Sequence, residues 1–283
     1  MILANNFNEY KILDTGDGQK LESWNGIIVS RPDPQVIWKK QEPELWSLSK
    51  ADYIRSKEGG GSWDIKQKLP EKWIITRGAL KFYVRPTGFK HMGLFPEQSA
   101  NWDFCADKIS NAHKKINVLN LFAYTGGATI ACAAAGADVV HVDAAKSMNS
   151  WAKDNLALSG LGDRKVRFLA DDAIKFIQRE IRRGHKYDGI IMDPPSYGRS
   201  DNAVFKAEKN IFELVESAAQ LLSDDPLFFI LNSYTTGFSG VVSENILKLC
   251  IKHTGNFESS DLCLPIENQT AVLPCGTTAR WYK

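Results

Sequence analysis

The stretch VLNLFAYTGGATIACAAAGADVVHVD, residues 118–143, contains the first clear indication of the fold. An apolar run at 117–122 leads into a glycine-containing turn, and an alanine-rich segment of helical length follows it. A second apolar run at 139–143 then ends in Asp143. Because this order is typical of a strand, a crossover helix and a parallel strand, the stretch predicts the beginning of a parallel α/β sheet.

The same alternation continues towards the C-terminus. Apolar runs at 166–170, 189–193 and 227–232 predict three more strands. Amphipathic stretches at 128–135, 147–159, 173–183 and 205–222 suit the crossover helices, and a last helix fits 241–253. Two β-like runs at 261–265 and 277–282 are expected to add an antiparallel pair at the edge of the sheet.

Up to about residue 88 the pattern is different, with short strands separated by turns. The runs 10–15 and 19–24 flank Gly16-Asp17-Gly18, and Asn25-Gly26 precedes another run, which are hairpin signals. We therefore predict two domains: a small β-rich N-terminal domain at residues 1–88 and an α/β domain at residues 89–283.

Composition excludes several classes of protein. The 283 residues are 43% hydrophobic and 24% charged, which fits neither global disorder nor a collagen-like repeat. No apolar run approaches the roughly 20 residues that span a bilayer, and the first residues lack signal-peptide features, so we expect a cytoplasmic protein without membrane contact. The five cysteines and five histidines form no CxxC, HxH or HxxxH pair, and we predict no metal site.

Ligands of parallel α/β sheets bind beyond the carboxyl ends of the strands, so polar residues and glycines there are the candidates. The turn Ala123-Tyr124-Thr125-Gly126-Gly127 lets the backbone approach a ligand closely, although it also suits a plain strand-to-helix turn. Asp143 lies 17 residues after Gly126, where a carboxylate can accept hydrogen bonds from a ribose diol. The fingerprint GxGxxG is absent, which disfavours a dinucleotide, and no P-loop motif is present.

The third predicted strand ends in an acidic pair, Asp171 and Asp172. One carboxylate can accept from an adenine amino group while the other caps the next helix. We assign the adenine contact to Asp172, with Asp171 as the alternative; two simple helix-capping residues would be the plainer interpretation.

The fourth predicted strand ends in Asp193-Pro194-Pro195-Ser196-Tyr197-Gly198. The two prolines forbid both a helix and a continued central strand, so the chain leaves the sheet on a stiff course. An aspartate oxygen and a carbonyl near the prolines could accept hydrogens from an amino group, and the aromatic ring could stack on a base. The turn therefore predicts the reaction side of an active site.

Three segments resemble the class I methyltransferases grouped with bacterial large-subunit ribosomal RNA methyltransferases: VLNLFAYTGGATIACAAAGADVVHVDAAKSMNSWAKDN (118–155), FLADDAIKFIQRE (168–180) and YDGIIMDPPSYGR (187–199). The resemblance covers roughly residues 85–283. It implies a Rossmann-like sheet of seven strands with a reversed last strand, and S-adenosylmethionine as cofactor. In similar proteins the segment before the first strand folds over the cofactor, which adds Phe95 and Gln98.

The resulting site assignment has two parts. The predicted catalytic residues are Asp193, Pro194, Pro195 and Tyr197. The predicted cofactor contacts are Phe95, Gln98, Phe122, Ala123, Tyr124, Thr125, Gly126, Gly127, Asp143, Ala144, Asp171, Asp172, Ala173 and Asp193.

The chain departs from this family pattern in two places. Relatives that methylate cytosine C5 carry a nucleophilic cysteine after the fifth strand, where this chain has Leu231-Asn232-Ser233-Tyr234-Thr235. Without a thiol, methylation of a base carbon by that route is disfavoured and a base nitrogen is expected instead. In addition, residues 1–84 match poorly to the RNA-binding module with which many relatives begin.

We therefore predict a methyltransferase that acts on a base nitrogen of ribosomal RNA. The alternatives are a methyltransferase for a protein amide or small molecule, a non-catalytic RNA-binding or assembly factor, and a nicotinamide oxidoreductase, which the missing GxGxxG disfavours. Arg77, Lys81, Arg85 and Lys90, interleaved with Phe82, Tyr83 and Phe89, could form a track for phosphates. We favour the alternative, in which period-two alternation simply places these charges on the solvated face of a strand.

Overall fold

The computed structural model describes residues 1–56, 60–200, 203–235 and 237–283. Short 3₁₀ turns lie at Pro43–Leu48 and Pro96–Gln98. The strands are β1 (Ile2–Leu3), β2 (Tyr10–Gly16), β3 (Gln19–Trp24), β4 (Ile27–Pro32), β5 (Ala51–Arg55), β6 (Gly61–Ile65), β7 (Trp73–Arg77), β8 (Leu80–Val84), β9 (Asn117–Leu121), β10 (Asp138–Asp143), β11 (Val166–Ala170), β12 (Gly189–Met192), β13 (Tyr197–Ser200), β14 (Ala203–Lys206), β15 (Phe228–Ser233), β16 (Asn256–Pro265) and β17 (Val272–Tyr282). The helices are α1 (Ser99–Ser110), α2 (Gly127–Ala134), α3 (Lys146–Leu158), α4 (Ala173–Arg183), α5 (Ala207–Ala219) and α6 (Gly240–Cys250).

The chain forms two compact units. The α/β unit comprises Met1–Ile2, Ala100–Leu262 and Gly276–Lys283, and the β-rich unit comprises Leu3–Ser99 and Cys263–Cys275. The N-terminal β-rich part predicted from the sequence is therefore present. The predicted domain boundary between residues 88 and 89 stays a prediction.

The α/β unit is built on a sheet with strand order β1-β16-β17-β15-β12-β9-β10-β11. The five strands β9, β10, β11, β12 and β15 are parallel to their neighbours within this group, and β17 runs antiparallel to β15. The predicted α/β fold with a reversed last strand is thus confirmed. The short strand β1 extends the seven expected strands to eight.

The parallel strands are buried on both faces, which explains their nearly continuous apolar sequences. In β12 every residue is buried, and in β15 as well. Helix α4 shows how a crossover helix is delimited: the Asp172 side chain accepts the Lys175 backbone N–H at 2.9 Å, and Gly184 ends the helix with φ of 69°. Its residues Phe176 and Ile177 pack into the core of the unit.

The region after β12 contains one error of the sequence interpretation. A helix was expected from residue 205, but Phe205 and Lys206 belong to β14, which pairs with β13 in an antiparallel hairpin. Helix α5 begins only at Ala207. The hairpin follows the Asp193-Pro-Pro turn directly and therefore lies at the reaction side of the predicted site.

The β-rich unit contains a sheet of order β2-β3-β4-β5-β6 and the separate hairpin β7–β8. Asp17 and Gly18 have φ of 53° and 77°, and Asn25 and Gly26 have φ of 51° and 79°. These are the left-handed conformations of tight hairpin turns. The hairpin signals of the sequence are therefore confirmed.

This sheet contains a buried ion pair. The Glu22 side chain is fully buried, and both its oxygens accept from the guanidinium of Arg31, at 2.5 and 2.6 Å. Tyr10 donates its hydroxyl to Glu22 at 2.6 Å as well. Burial alone would raise the pKa of Glu22, but the charges of Arg31 and Lys20 outweigh it and lower the pKa to about 2.

Candidate functional site at the carboxyl ends of the central strands

The strand register brings the predicted cofactor side and reaction side together. Leu121 of β9 is paired with Met192 of β12 on one side and with Val142 of β10 on the other. Leu121 is followed by Phe122, Met192 by Asp193 and Val142 by Asp143. The three segments therefore leave the sheet side by side, as the sequence predicted for a ligand site.

The turn after β9 has an unusual backbone. Phe122, Tyr124 and Gly126 have φ of 57°, 51° and 88°, so two residues with side chains adopt the left-handed conformation. A left-handed conformation is uncommon in residues other than glycine, and it persists only where the surrounding structure holds it in place. Such strained residues cluster at functional sites. Here the Tyr124 N–H donates to Asp143 Oδ2 at 2.9 Å, and buried Asn155 donates to the Thr125 carbonyl at 3.0 Å.

The two glycines of this turn are required by space. A Cβ at Gly127 would lie 2.4 Å from the Trp102 ring, and one at Gly126 would lie 3.0 Å from Ala152 Cβ. The first distance is below any normal contact, so a side chain at Gly127 would displace the indole. The turn is thus a closely packed backbone cradle that begins helix α2.

Asp143 is the acidic residue of this cradle. Its Oδ2 accepts from Tyr124 and its Oδ1 accepts from the Ala145 N–H at 2.9 Å, while burial raises the pKa of the carboxyl group. A carboxylate can accept about four hydrogen bonds, so each oxygen keeps capacity for a ligand hydroxyl. Ala144, which follows it, is exposed.

The acidic pair after β11 has local roles. Asp172 caps helix α4, as described above, and Asp171 forms an ion pair with Arg179. The Asp171 N–H donates to the Asp143 carbonyl at 3.2 Å, which ties this segment to the end of β10, and Ala173 begins α4 in a buried position. The adenine contact of Asp172 or Asp171 stays a prediction.

The Asp193-Pro-Pro turn is partly buried and partly exposed to solvent. Pro194 is buried, whereas Pro195 is exposed and Tyr197 is 48% exposed. The Thr235 hydroxyl donates to Ser196 Oγ at 2.9 Å, which links the turn to the segment after β15. The Tyr197 ring is therefore accessible, four residues after Asp193 in the sequence.

A buried polar chain behind this turn was missed by the sequence analysis. Arg280 Nε donates to Asn101 Oδ1 at 2.9 Å, and Asn101 Nδ2 donates to Asn232 Oδ1 at 2.9 Å. Because arginine can only donate, it determines the orientation of both amides and turns the Asn232 NH₂ group away from Asn101. Asn232 and Pro194 both line a cavity of about 10 Å³. The only sequence signal was a polar residue at the end of an apolar strand.

A second buried network, which the sequence analysis also missed, joins β9, α2 and β10. Asn120 donates to Thr129 Oγ1 at 2.9 Å, and that hydroxyl lies 2.9 Å from Nδ1 of His141. Burial lowers the pKa of His141 to about 3, although the backbone of Tyr124 opposes this effect. The histidine is therefore neutral and belongs to the core of the unit.

Phe95 and Gln98 belong to the β-rich unit. Phe95 packs against the His91 ring at 5.2 Å between centroids, and Gln98 is buried at the end of a 3₁₀ turn. Their contact with the cofactor stays a prediction.

The described ranges hold neither a membrane-spanning helix nor a metal-binding cluster. No helix there is long and apolar enough to cross a bilayer. The same residues contain no cluster of three histidine, cysteine or acidic side chains arranged to bind a metal ion.

The profile of the S-adenosylmethionine-dependent methyltransferases matches residues 55–243 of the chain. The chain belongs to this family. A solved relative described as a SAM-dependent methyltransferase from Agrobacterium tumefaciens is 32% identical, with a TM-score of 0.94 over 99% of this chain and 92% of the other. The predicted cofactor class and the resemblance to methyltransferases are thereby confirmed.

Curated relatives are named as ribosomal RNA enzymes. Ribosomal RNA large subunit methyltransferase K of Neisseria meningitidis is 25% identical over 77% of this chain and 64% of its own length. Ribosomal RNA large subunit methyltransferase K/L of Shewanella baltica is 34% identical over 56% of this chain and 22% of its own length. The chain thus spans less than two thirds of these relatives.

Proposed function

We propose that this methyltransferase acts on a nitrogen of a nucleic-acid base in ribosomal RNA. The observation that carries the proposal is the register that places Asp193-Pro-Pro beside the cradle formed by residues 122–127. A methyl donor and an acceptor bound at these two segments would meet at one edge of the sheet.

The cofactor side fits S-adenosylmethionine in both shape and chemistry. The cradle has no room for a side chain at Gly127. Asp143 offers acceptor capacity and has no cationic partner among the described residues, which suits a ribose diol. When bound, S-adenosylmethionine supplies a methyl group on a sulfonium that a nucleophile can attack. The cofactor contacts of Phe122, Ala123, Thr125 and Ala144 are part of this proposal.

The reaction side would orient the acceptor. The Asp193 carboxylate and the Pro194 carbonyl accept the hydrogens of the amino group, which directs the nitrogen lone pair towards the methyl group. Asp193 then holds the proton that the methylated nitrogen releases. The half-exposed ring of Tyr197 stacks on the base, and the rigid Pro194-Pro195 pair keeps these groups in place.

Ribosomal RNA as the substrate is supported by the names of the curated relatives. A nitrogen as the acceptor atom is supported by the absence of a cysteine from the sequence between Leu231 and Thr235. Such a substrate places the protein in the cytoplasm. In this proposal the β-rich domain at residues 1–88 assists binding, and residues 89–283 carry the reaction.

Replacement of Asp193 tests the mechanism. We expect Asp193→Ala to lower kcat by roughly 100- to 1000-fold, the range for loss of one hydrogen-bonding group that acts in the transition state. The affinity for S-adenosylmethionine, measured by isothermal titration, should remain within about threefold. Asp193→Asn keeps one acceptor oxygen and should lose less. Full activity in the alanine variant would refute the orienting role.

The substrate is tested by mass mapping of ribosomal RNA from parent and deletion strains. One base should lose 14 mass units in the deletion strain, about the mass that a methyl group adds in place of hydrogen, and the purified chain should restore the methyl group. An unchanged map, with S-adenosylmethionine still bound, would favour a protein or small-molecule acceptor.

A further inference from the structure

The loop at residues 87–91 of the β-rich unit, here called the Phe89 loop, presents an exposed aromatic ring. The Phe89 side chain is 70% exposed, whereas Phe82 on the preceding strand is fully buried. A single exposed apolar residue is common on protein surfaces and requires no explanation by itself. The backbone that carries this one is the unusual feature.

The Phe89 loop is held by hydrogen bonds on both sides. The Thr87 N–H donates to the His91 carbonyl at 3.1 Å, and Arg85 donates to Met92 at 3.0 Å, so the loop is closed like a hairpin. The Trp63 indole N–H lies 2.9 Å from the Thr87 carbonyl and 3.2 Å from the Phe89 carbonyl. An exposed ring on such a restrained backbone loses little conformational entropy when it binds a partner.

Lys90, the next residue, lies in a positive environment. Burial lowers its pKa most, Lys20 and Arg31 lower it further, Asp33 opposes them, and the resulting pKa is about 8. Arg31 is already paired with Glu22, and Lys20 lies 3.3 Å from Asp33. Lys90 Nζ has only the Pro32 carbonyl at 3.4 Å, and no carboxylate within 4.0 Å in the described part of the chain.

The Phe89 loop therefore combines an exposed aromatic ring with a lysine ammonium group. The ring of Phe89 has apolar area to cover, and no described carboxylate lies within 4.0 Å of the Lys90 ammonium. Single-stranded nucleic acid offers both a base face and a phosphate at adjacent positions, and base-aromatic stacking with a nearby cation is how such strands are bound.

We propose that the Phe89 loop is a binding site for single-stranded RNA, with Phe89 stacked on an unpaired base and Lys90 paired with a phosphate. The site rests on the proposed function, because it assumes an RNA substrate. It adds a second contact to that substrate within the β-rich unit. The proposed site includes two residues of the possible phosphate track that the sequence suggested, Phe89 and Lys90. It does not include Phe82 of that track, which is buried.

The first test measures binding of a fluorescein-labelled single-stranded RNA to the full chain. Phe89→Ala should weaken binding roughly 5- to 100-fold, the cost of losing one stacked base, and Phe89→Trp should restore it. Ile37→Ala, which removes another exposed apolar side chain of the same unit, should have no effect. Equal affinities of Phe89→Ala and Ile37→Ala would overturn the proposal.

Salt dependence separates the two contacts. Lys90→Gln should reduce the slope of log K against log salt concentration by about 0.7, the value for one phosphate of a single strand. Phe89→Ala should leave the slope unchanged, because stacking releases no counterion. An unchanged slope in Lys90→Gln would remove the phosphate contact.

Two controls keep this result distinct from others. Each variant should bind S-adenosylmethionine and unfold like the parent chain, which excludes misfolding. Sedimentation with phosphatidylserine vesicles tests a membrane as the partner, and loss of vesicle binding with unchanged RNA binding in Phe89→Ala would overturn the RNA site. RNA binding through Phe89 without methyl transfer would instead refute the proposed function alone.

Discussion

Asp143 and Glu22 are both carboxylates in low-accessibility positions, but the chain treats them in opposite ways. Glu22 is paired with Arg31 and Tyr10, and its pKa is lowered to about 2. In the described part of the chain, Asp143 accepts from backbone N–H groups alone, and burial raises its pKa. Glu22 is saturated by protein donors, whereas Asp143 retains acceptor capacity at the edge of the sheet. Among the described residues, the cationic partner of Glu22 is thus what separates this structural carboxylate from Asp143, which can still accept hydrogen bonds.

The largest expected effect is on the saturated carboxylate. Glu22→Gln should lower the free energy of unfolding by about 3–5 kcal/mol, because it leaves Arg31 as a buried charge without its counterion. Chemical denaturation measures this loss, and the affinity for S-adenosylmethionine should stay unchanged. Glu71→Gln makes the same substitution at an exposed position and should change stability by less than about 0.5 kcal/mol.

The same pair has a predictable pH dependence. The folded-state pKa of Glu22 lies below its usual value of 4.5, so its contribution is complete above that pH and is lost as pH falls towards 2. A parent chain and a Glu22→Gln variant with parallel stability curves below pH 4.5 would contradict the ion pair.

Asp143 should show the opposite division of effects. Asp143→Ala should weaken binding of S-adenosylmethionine by roughly 10- to 150-fold, equivalent to one lost hydrogen bond to a charged acceptor at about 1.5–3 kcal/mol. Isothermal titration measures the change. Asp138→Ala is the control, since Asp138 begins the same strand β10 at its other end and pairs with Lys115 and Lys165. Equal losses in both variants would remove the special role of Asp143.

His141 represents a third solution, in which a buried group avoids charge altogether. Its pKa is about 3 when folded and near 6.5 when unfolded, so the unfolded chain binds the proton first. Stability should therefore fall by roughly 1–2 kcal/mol between pH 6.5 and pH 5, at no more than 1.4 kcal/mol per pH unit. His141→Gln should flatten this part of the curve. His113→Asn is the control, because His113 is exposed and asparagine tolerates the local φ of 49°. This variant should leave the slope of stability against pH unchanged.

The smallest effect concerns Asp172, whose two assigned roles can be separated. Asp172→Ala removes the cap of α4 and should cost about 1 kcal/mol of stability. Asp172→Ser keeps a capping oxygen on a shorter side chain and should retain stability. If Asp172 also contacts adenine, both variants bind S-adenosylmethionine more weakly; normal binding by Asp172→Ser would assign the residue to capping alone.

The sequence predicted most of the elements of the α/β unit, because buried parallel strands and amphipathic helices have distinct periodicities. The errors lie where the local pattern was ambiguous. The last two residues of the hairpin β13–β14, Phe205 and Lys206, were interpreted as the beginning of a helix, since a four-residue strand with a helix-forming continuation gives no clear period. Helix α1 was missed for a similar reason, because its polar and apolar residues form only a weak stripe.

The candidate site was predictable where it depends on residue types at strand ends. Asp143 and Asp193 follow apolar runs directly, so their neighbourhood could be deduced from the rule that parallel strands end at a common edge. The chain from Arg280 through Asn101 to Asn232 could not, because its members are 179 and 131 residues apart along the sequence. The left-handed conformations of Phe122 and Tyr124 also carry no signal in residue type.

The sequence by itself thus determined the order of strands and helices, the acidic residues at the strand ends and the stiff Asp193-Pro-Pro turn. These features depend on local periodicity and on the restricted backbone of proline and glycine. Only the tertiary structure decided which carboxylates are saturated, which ring is left exposed and how Asn232 is oriented. Those properties arise from hydrogen bonds and packing between residues far apart in sequence, which no local pattern encodes.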